Sequence, residues 1–414
     1  MEYNEHIVFV EAPLTGAGLR GLEYAKKENM YVTFITSNKE KYEKKGFLEL
    51  INNLVICDTN SEKDLIETIK LIKRKITSVM TFADFYVPKV ALIAEYLNLP
   101  CMSYSAAVNC RNKYFMRQVI DKKYSDYNPK YYIVNSLKDA LEKAKLINYP
   151  LIMKPQDEND SYNVMLINSS KDLIDGYLHI TDGDYNRVGQ KKFSNALLLE
   201  EYITHQEYSA ETYTVNNETK LIGITKKFIS GINRGNFIEI AHAFPIKEIE
   251  SPIFDVVKTV LAELEINNAI CHTEIKVDEA NNIFKIIEVN PRLAGGGIGS
   301  DMIEVSTGTS AVEYAIDIIR GKNIDFEFIN NEYSVIHKIQ AYKEGILQSV
   351  LFPKWLDEHE NFVKKELFIE IGSFVRPPKL NGDLIGYILV KGNNLQKTLD
   401  FAKQIIDEIE IKDI

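Results

Sequence analysis

The sequence predicts a mixed architecture, an α/β unit followed by α+β units, and three observations predict it. Short β-branched runs alternate with amphipathic segments over residues 6–100, the pattern of βαβ units around a parallel sheet. Two β-rich runs, CHTEIKV and FKIIEVN, flank the turn residues Asp278 to Asn282 and read as an antiparallel hairpin. From about residue 321 onward, strand signals, a turn at Glu344-Gly345 and a closing amphipathic helix near LQKTLDFAKQIIDEI give an α+β pattern.

Taken in order, the first region reads HIVFVEA, a glycine turn, LRGLEYAKKEN, YVTFITS, LVICDT, DLIETIKLIKRK, ITSVMTFAD and VALIAEYLNL. Gly16, Gly18 and Gly21 match the G-x-G-x-x-G spacing of a pyrophosphate-binding turn. The second strand, however, ends Thr36-Ser37-Asn38-Lys39, with no acidic residue placed to hold a ribose, which argues against NAD. The turn can still face a substrate, because ligands of such sheets bind at the carboxyl ends of the strands.

NCRNKYFMRQVI, from Asn109 to Ile120, reads on its own as a basic amphipathic helix with a solvated face. Residues 131–154 give a strand, a helix and the apolar strand YPLIMKP, whose Lys154 meets a polar loop where a phosphate could bind. After the loop Gln156 to Asn163 come a strand, a helix and an irregular polar connection from His179 to Asn195. ALLLEEYITHQEYSAETYTV follows as two strands, and GITKKFISGINRGNFIEIAHAFPI as a further hairpin carrying Lys226, Lys227, Arg234, Glu239 and His242. A helix, IFDVVKTVLAELEI, leads to the 271–290 hairpin. The segment beyond 321 shows few convergent polar groups and is assigned a structural role.

The hairpin is the centre of the chemistry. Alternation puts Glu288 and Asn290 on one side of their strand, and a turn centred near Ala280 or Asn281 sets Glu274 roughly opposite Glu288. Two adjacent carboxylates repel unless a cation lies between them or one is protonated. Glu274, Glu288 and Asn290 are therefore an all-oxygen set suited to Mg2+ or Mn2+ beside nucleotide phosphates. Arg292 and the glycines Gly295 to Gly297 follow at once, a guanidinium next to backbone that can approach a ligand.

Composition narrows the function classes. The 414 residues are 45% hydrophobic and 26% charged, an ordinary globular balance with room for two or three domains. A net charge of −10 argues against nucleic acid as a partner. No apolar run approaches a membrane span, the N-terminus lacks a signal peptide's apolar region, and the four cysteines show no C-x-x-C spacing, so a cytoplasmic protein is expected.

In this order, Lys113, Lys154, Glu200 to Ile203, Glu207, Glu274, Glu288, Asn290 and Arg292 make the chain resemble the ATP-grasp superfamily of carboxylate–amine ligases, most closely the bacterial L-amino acid ligases that make dipeptides. The resemblance implies a Rossmann-like pre-ATP-grasp domain over 1–112, an ATP-grasp domain over 113–320 and a small α+β domain over 321–414. It assigns Lys113, Lys154 and Ser161 to the ATP phosphates, Glu200, Glu201 and Ile203 to adenine, Glu207 to the ribose, and Glu274, Glu288 and Asn290 to Mg2+. Arg292 matches the arginine that stabilises the acyl phosphate and its tetrahedral successor; Glu239 and His242 match residues lining the amino-acid site, with Gly295 and Gly296 beside it.

The implied reaction activates one amino acid as an acyl phosphate and joins it to the amine of a second, with arginine suggested as a substrate by the acidic Asp84 and Glu239. Partners expected are small-molecule amino acids, with a homodimer as an open option. The alternatives are a ligase for another carboxylate and amine, a nucleotide-binding protein without turnover, or, on the glycine fingerprint alone, an NAD-dependent oxidoreductase. One departure stands out: the phosphate-covering loop, glycine-rich in the superfamily, here reads QDENDSYNV.

Overall fold

The computed structural model describes residues 3–14, 16–43, 46–183, 195–232, 235–322 and 324–413. Most of the polar connection expected after residue 179, and Arg234, lie outside the described residues. The helix preceding that connection runs to Thr181 rather than stopping at His179, because Tyr177 and Ile180 still have a core to face.

The N-terminal unit is the parallel sheet that its alternating pattern predicts. Strands β1 (Glu5–Val10), β2 (Met30–Thr36), β3 (Asn53–Ile56) and β4 (Ser78–Met80) stand in the order β3-β2-β1-β4, with all three pairings parallel. Helices α1 (Ala17–Lys27), α2 (Glu62–Leu71) and α3 (Val87–Leu97) connect or cover them, and α4 (Tyr104–Arg111) leads out. The glycine fingerprint has a packing explanation: a Cβ on Gly18 would lie 2.0 Å from the Pro13 carbonyl oxygen, and one on Gly21 would lie 2.5 Å from the Phe82 ring.

A second sheet follows. Helix α5 (Lys113–Tyr124) leads to β5 (Tyr131–Val134), α6 (Leu137–Ile147), β6 (Leu151–Pro155), β7 (Met165–Ile167), α7 (Ser170–Thr181) and β8 (Leu197–Glu201). The strands pair antiparallel in the order β5-β8-β6-β7, and Ala140, Ala144, Leu173 and Tyr177 of the two helices close the core beneath them.

The body of the molecule is an antiparallel sheet of eight strands. It begins with β9 (Gln206–Val215), β10 (Glu218–Ser230) and β11 (Ile238–Phe244), backed by α8 (Glu250–Glu263). The hairpin β12 (Ala269–Asp278) and β13 (Ile283–Asn290) completes one side, followed by α9 (Ile303–Thr307) and α10 (Ala311–Ile319). The C-terminal residues supply β14 (Tyr333–Ile339), β15 (Gly345–Leu351), β16 (Phe362–Leu367), β17 (Phe374–Val375), β18 (Gly386–Gly392), α11 (Leu395–Glu408) and β19 (Glu410–Asp413). In space the order is β13-β12-β9-β10-β11-β14-β18-β16, so three strands from beyond residue 321 extend the same sheet, while β17-β15-β19 form a small separate one. The apolar faces of β9 to β14 and β18 pack against α8 and α11 in one large core.

Candidate active site

One cavity of about 950 Å³ lies where the carboxyl ends of the parallel strands, the β6–β8 sheet and the eight-stranded sheet meet. Every site residue named from the sequence lines it: Lys113, Lys154, Ser161, Glu200, Glu201, Ile203, Glu207, Glu239, His242, Glu274, Glu288, Asn290, Arg292, Gly295 and Gly296.

On one wall, Lys154 ends β6 almost fully buried, its Nζ 2.6 Å from Glu200 Oε2. Glu200 also accepts from Arg117 Nε at 3.0 Å. Burial alone would raise the Glu200 pKa, but the Arg117 and Lys154 charges outweigh it and hold the group at about 2. Burial dominates for Lys154, whose pKa is lowered. Lys113 at the start of α5 reaches Glu288 Oε1 at 2.9 Å and the Glu158 carbonyl at 2.7 Å. The solvated basic helix read from NCRNKYFMR is thus corrected. Lys113 is 5% exposed and Arg117 is 0% exposed, because the i, i+4 face they share turns toward the carbonyls of Ile286 and Ile287, which Arg117 bonds at 2.7 and 2.9 Å.

The opposite wall is acidic. The register pairs Glu274 with Glu288, as expected, with Ile287 bulged out between them and the Ile275–Ile286 pair. Their carboxylates nonetheless meet different cations. Glu274 bonds Lys227, which also lies 3.1 Å from Glu239 and 3.5 Å from Glu207; carboxylate oxygens of the three acids lie within 4.8 Å of one another. Lys227 is buried, and although burial opposes its charge, Glu239, Glu274 and Glu207 raise its pKa well above the ordinary value. Glu207 is shifted upward, first by burial and then by the neighbouring acids, while Glu274 is held low because Lys227 and His272 outweigh its burial. His272 bridges Glu211 and Glu274 at 3.0 and 3.4 Å. Glu288 is bound to Lys113 and Asn290 lines the same cavity; the three carboxylates around one ammonium keep excess negative charge, and their donors are all oxygen. That set fits a divalent cation such as Mg2+ or Mn2+.

Arg292 leaves β13 toward the N-terminal unit, where its Nε is 3.3 Å from Asp84 Oδ1; Arg111 lies 3.7 Å from the other Asp84 oxygen. Burial would raise the Asp84 pKa, but Arg111, Arg292 and Lys113 hold it low, so this carboxylate is ionised and committed to internal partners. His242 on β11 sits 2.8 Å from Glu239 through Nε2, and its Nδ1 is buried with no hydrogen-bond partner among the described residues. Burial lowers its pKa and keeps it neutral near pH 7.

The glycine-poor loop reaches a glycine-like backbone without glycine. Asp160, Ser161 and Asn163 all have φ between 55° and 58°, a region that side chains other than Asn and Asp rarely adopt. Lys113 and Arg111 clamp it through the carbonyls of Glu158 and Asp157, and Asn159 to Tyr162 line the cavity.

Residues 147–301 match the family model described as an ATP-grasp domain. The chain carries an ATP-grasp domain. Its whole fold is similar to the L-amino acid ligase of Bacillus licheniformis, with a TM-score of 0.83 at 20% identity over 100% of both chains. It is also similar to phosphoribosylglycinamide synthetase from Anaerococcus prevotii, with a TM-score of 0.73 at 18% identity, covering 99% of this chain and 100% of that one. Among curated proteins, the carbamoyl phosphate synthase large chain of Pseudarthrobacter chlorophenolicus is 24% identical over 202 residues, covering 47% of this chain and 17% of that relative. The chain spans a quarter or less of the length of this and the next two such relatives.

Around the ATP-grasp domain, sequence reasoning missed contributors. The structural role assigned beyond residue 321 is corrected, since Lys338, Glu366, Phe368, Asn381 and Tyr387 all line the cavity. Strand β14 brings Lys338 there by pairing with β11, one strand from Lys227. A lysine inside the apolar run VIHKIQA, like Lys227 in GITKKF, was the available signal: a charge on a core strand needs a reason to be there.

Proposed function

We propose that this protein is an ATP-dependent, ADP-forming carboxylate–amine ligase whose substrates are two amino acids. The observation that carries the reading is the convergence, in one cavity, of two buried lysines, a cluster of acidic oxygens and Arg292 beside an open glycine turn. Lys113 and Lys154 face the ATP phosphates, with Ser161 in the covering loop, and the segment Glu200, Glu201 and Ile203 with Glu207 receives adenine and ribose. The carboxylate oxygen of the first substrate attacks the γ-phosphorus; an O–P bond forms, the β–γ bridging bond breaks, and ADP leaves. The second substrate's amine then attacks the acyl carbon and expels phosphate, completing the C–N bond. Arg292 and the amides near Gly295 and Gly296 stabilise the oxyanion, and the Glu239–His242 pair takes the amine's proton.

Mg2+, held by Glu274, Glu288 and Asn290 with Glu207 and Glu239 beside them, would neutralise phosphate charge. Lys227 holds Glu207, Glu239 and Glu274 together.

A screen for phosphate release over all pairs of the common amino acids tests the reading. ADP and phosphate should appear only with ATP, Mg2+ and suitable amino acids together. Glu288→Gln should abolish that release, and Lys154→Ala should weaken ATP binding in calorimetry; unchanged values in both would sink the site assignment. A second reading, nucleotide binding without turnover, draws on the loop that lacks glycines. ATP affinity with no substrate-dependent hydrolysis under any pair would decide for it.

A further inference from the structure

The cations lining this cavity are matched to carboxylates with one buried exception. Lys113 has Glu288, Lys154 has Glu200, Lys227 has three acids, Lys276 lies 3.7 Å from Glu207, and Arg292 has Asp84. Lys338, 4% exposed on β14, has no carboxylate within ion-pair distance among the described residues. Its Nζ donates to the Gly296 carbonyl at 2.6 Å and lies 4.9 Å from the centre of the Tyr387 ring. Acids around it are taken: Glu239 pairs with Lys227 at 3.1 Å, Glu366 with Lys364 at 2.7 Å, and Asp301 with Arg20 at 3.2 Å and Lys364 at 3.1 Å.

A buried ammonium with one neutral acceptor and a ring face is under-compensated. Burial accordingly lowers its pKa to about 8, against the upward pull of Glu239, Glu366, Asp160 and Asp301. An anionic ligand group would supply the missing charge. Its position says which group. Gly296 has φ +63°, and a Cβ there would stand 3.2 Å from Lys338 Nζ and 4.0 Å from His242 Cε1, so the two side chains converge on that glycine. The phosphate-facing Lys154, by contrast, belongs to the separate β6–β8 sheet.

We propose that Lys338 anchors the carboxylate of the amine-donating substrate, while His242, paired with Glu239, faces its amine. The inference rests on the ligase reading and gives the carboxylate of its amine donor a binding residue, one that a simple amine would leave unused. The Gly296 carbonyl keeps its hydrogen bond from the ammonium, and an added side chain at 296 would fill the space between anchor and histidine.

The test measures binding apart from turnover. The full-length protein loaded with Mg-ADP is titrated with the pooled common L-amino acids, and separately with the corresponding amino-acid amides, following bound radiolabel by equilibrium dialysis. Wild type should retain amino acids and bind the amides at least tenfold less. Lys338→Met should lose that preference by at least tenfold, and Lys338→Arg should restore most of it. Unchanged ATP affinity in Lys338→Met shows that the fold is intact. Equal retention by wild type and Lys338→Met, or no discrimination between acids and amides, overturns the proposal. The ligase reading fails separately: phosphate release with a simple amine as acceptor would keep the ligase and overturn the anchor, whereas amino-acid retention through Lys338 without phosphate release under any pair would keep the anchor and overturn the ligase.

Discussion

At the scale of single residues, the site is governed by charges that burial would forbid unless they were paired. Glu200 is the clearest case, ionised and buried between Arg117 and Lys154. Its folded pKa, about 2, lies below the ordinary 4.5, so its contribution to stability is present above that ordinary value and is lost as pH falls toward 2. Glu200→Gln should therefore flatten the fall in unfolding free energy between about pH 4.5 and 2, measured by urea titration; an unchanged slope would contradict the pairing. Arg117→Met leaves Glu200 with half its compensation and strands the carbonyls of Ile286 and Ile287. Breaking a buried pair in this way costs about 3–5 kcal/mol, visible as a lower denaturation midpoint.

At the scale of elements, the β12–β13 hairpin and the loop after β6 each solve a backbone problem. The bulge at Ile287 keeps Glu274 opposite Glu288 while the rest of the hairpin stays in its own register. Deleting Ile287 would leave Glu288 opposite Glu274, whereas deleting Val289 would bring Asn290 next to Glu288 and turn it to the core face. Substrate-dependent ADP release should then drop by about 100-fold or more, with the overall circular dichroism retained. The loop places Ser161 at φ 56° without glycine, a strain of about 1–2 kcal/mol. Ser161→Gly should raise the melting temperature relative to wild type and Ser161→Val should lower it; no difference between the two would argue that the loop bears no such strain.

At the scale of the molecule, the candidate site belongs to no single unit. The N-terminal unit supplies Asp84 to Arg292, and the C-terminal strands supply Lys338. Arg320, after α10, binds Glu5, Glu28 and Asp317 and ties the body to the first sheet. Removing residues beyond 320 would strip β14, β18 and β16 from the sheet, baring the β11 edge and the core under α11. A chain ending at 320 should be recovered only as aggregate, whereas a monodisperse, ATP-binding product would show that the 113–320 segment stands alone.

What the sequence determined by itself was local and ordered. Alternation placed Glu288 and Asn290 on one face, the turn at Asp278 to Asn282 set Glu274 within one residue of Glu288, an offset that the bulge at Ile287 then supplied, and the βαβ rhythm of residues 6–100 specified a parallel sheet. Those features follow from periodicities of a few residues, which any window of the chain displays. Tertiary structure alone decided which charge meets which. Glu274 went to Lys227, Glu288 to Lys113, Glu200 to Arg117 and Lys154, through contacts as far as 175 residues apart in the chain, and Lys338 was left without a carboxylate among the described residues. Coulombic pairing depends on distance in space and on burial, and neither is written in spacing along the chain.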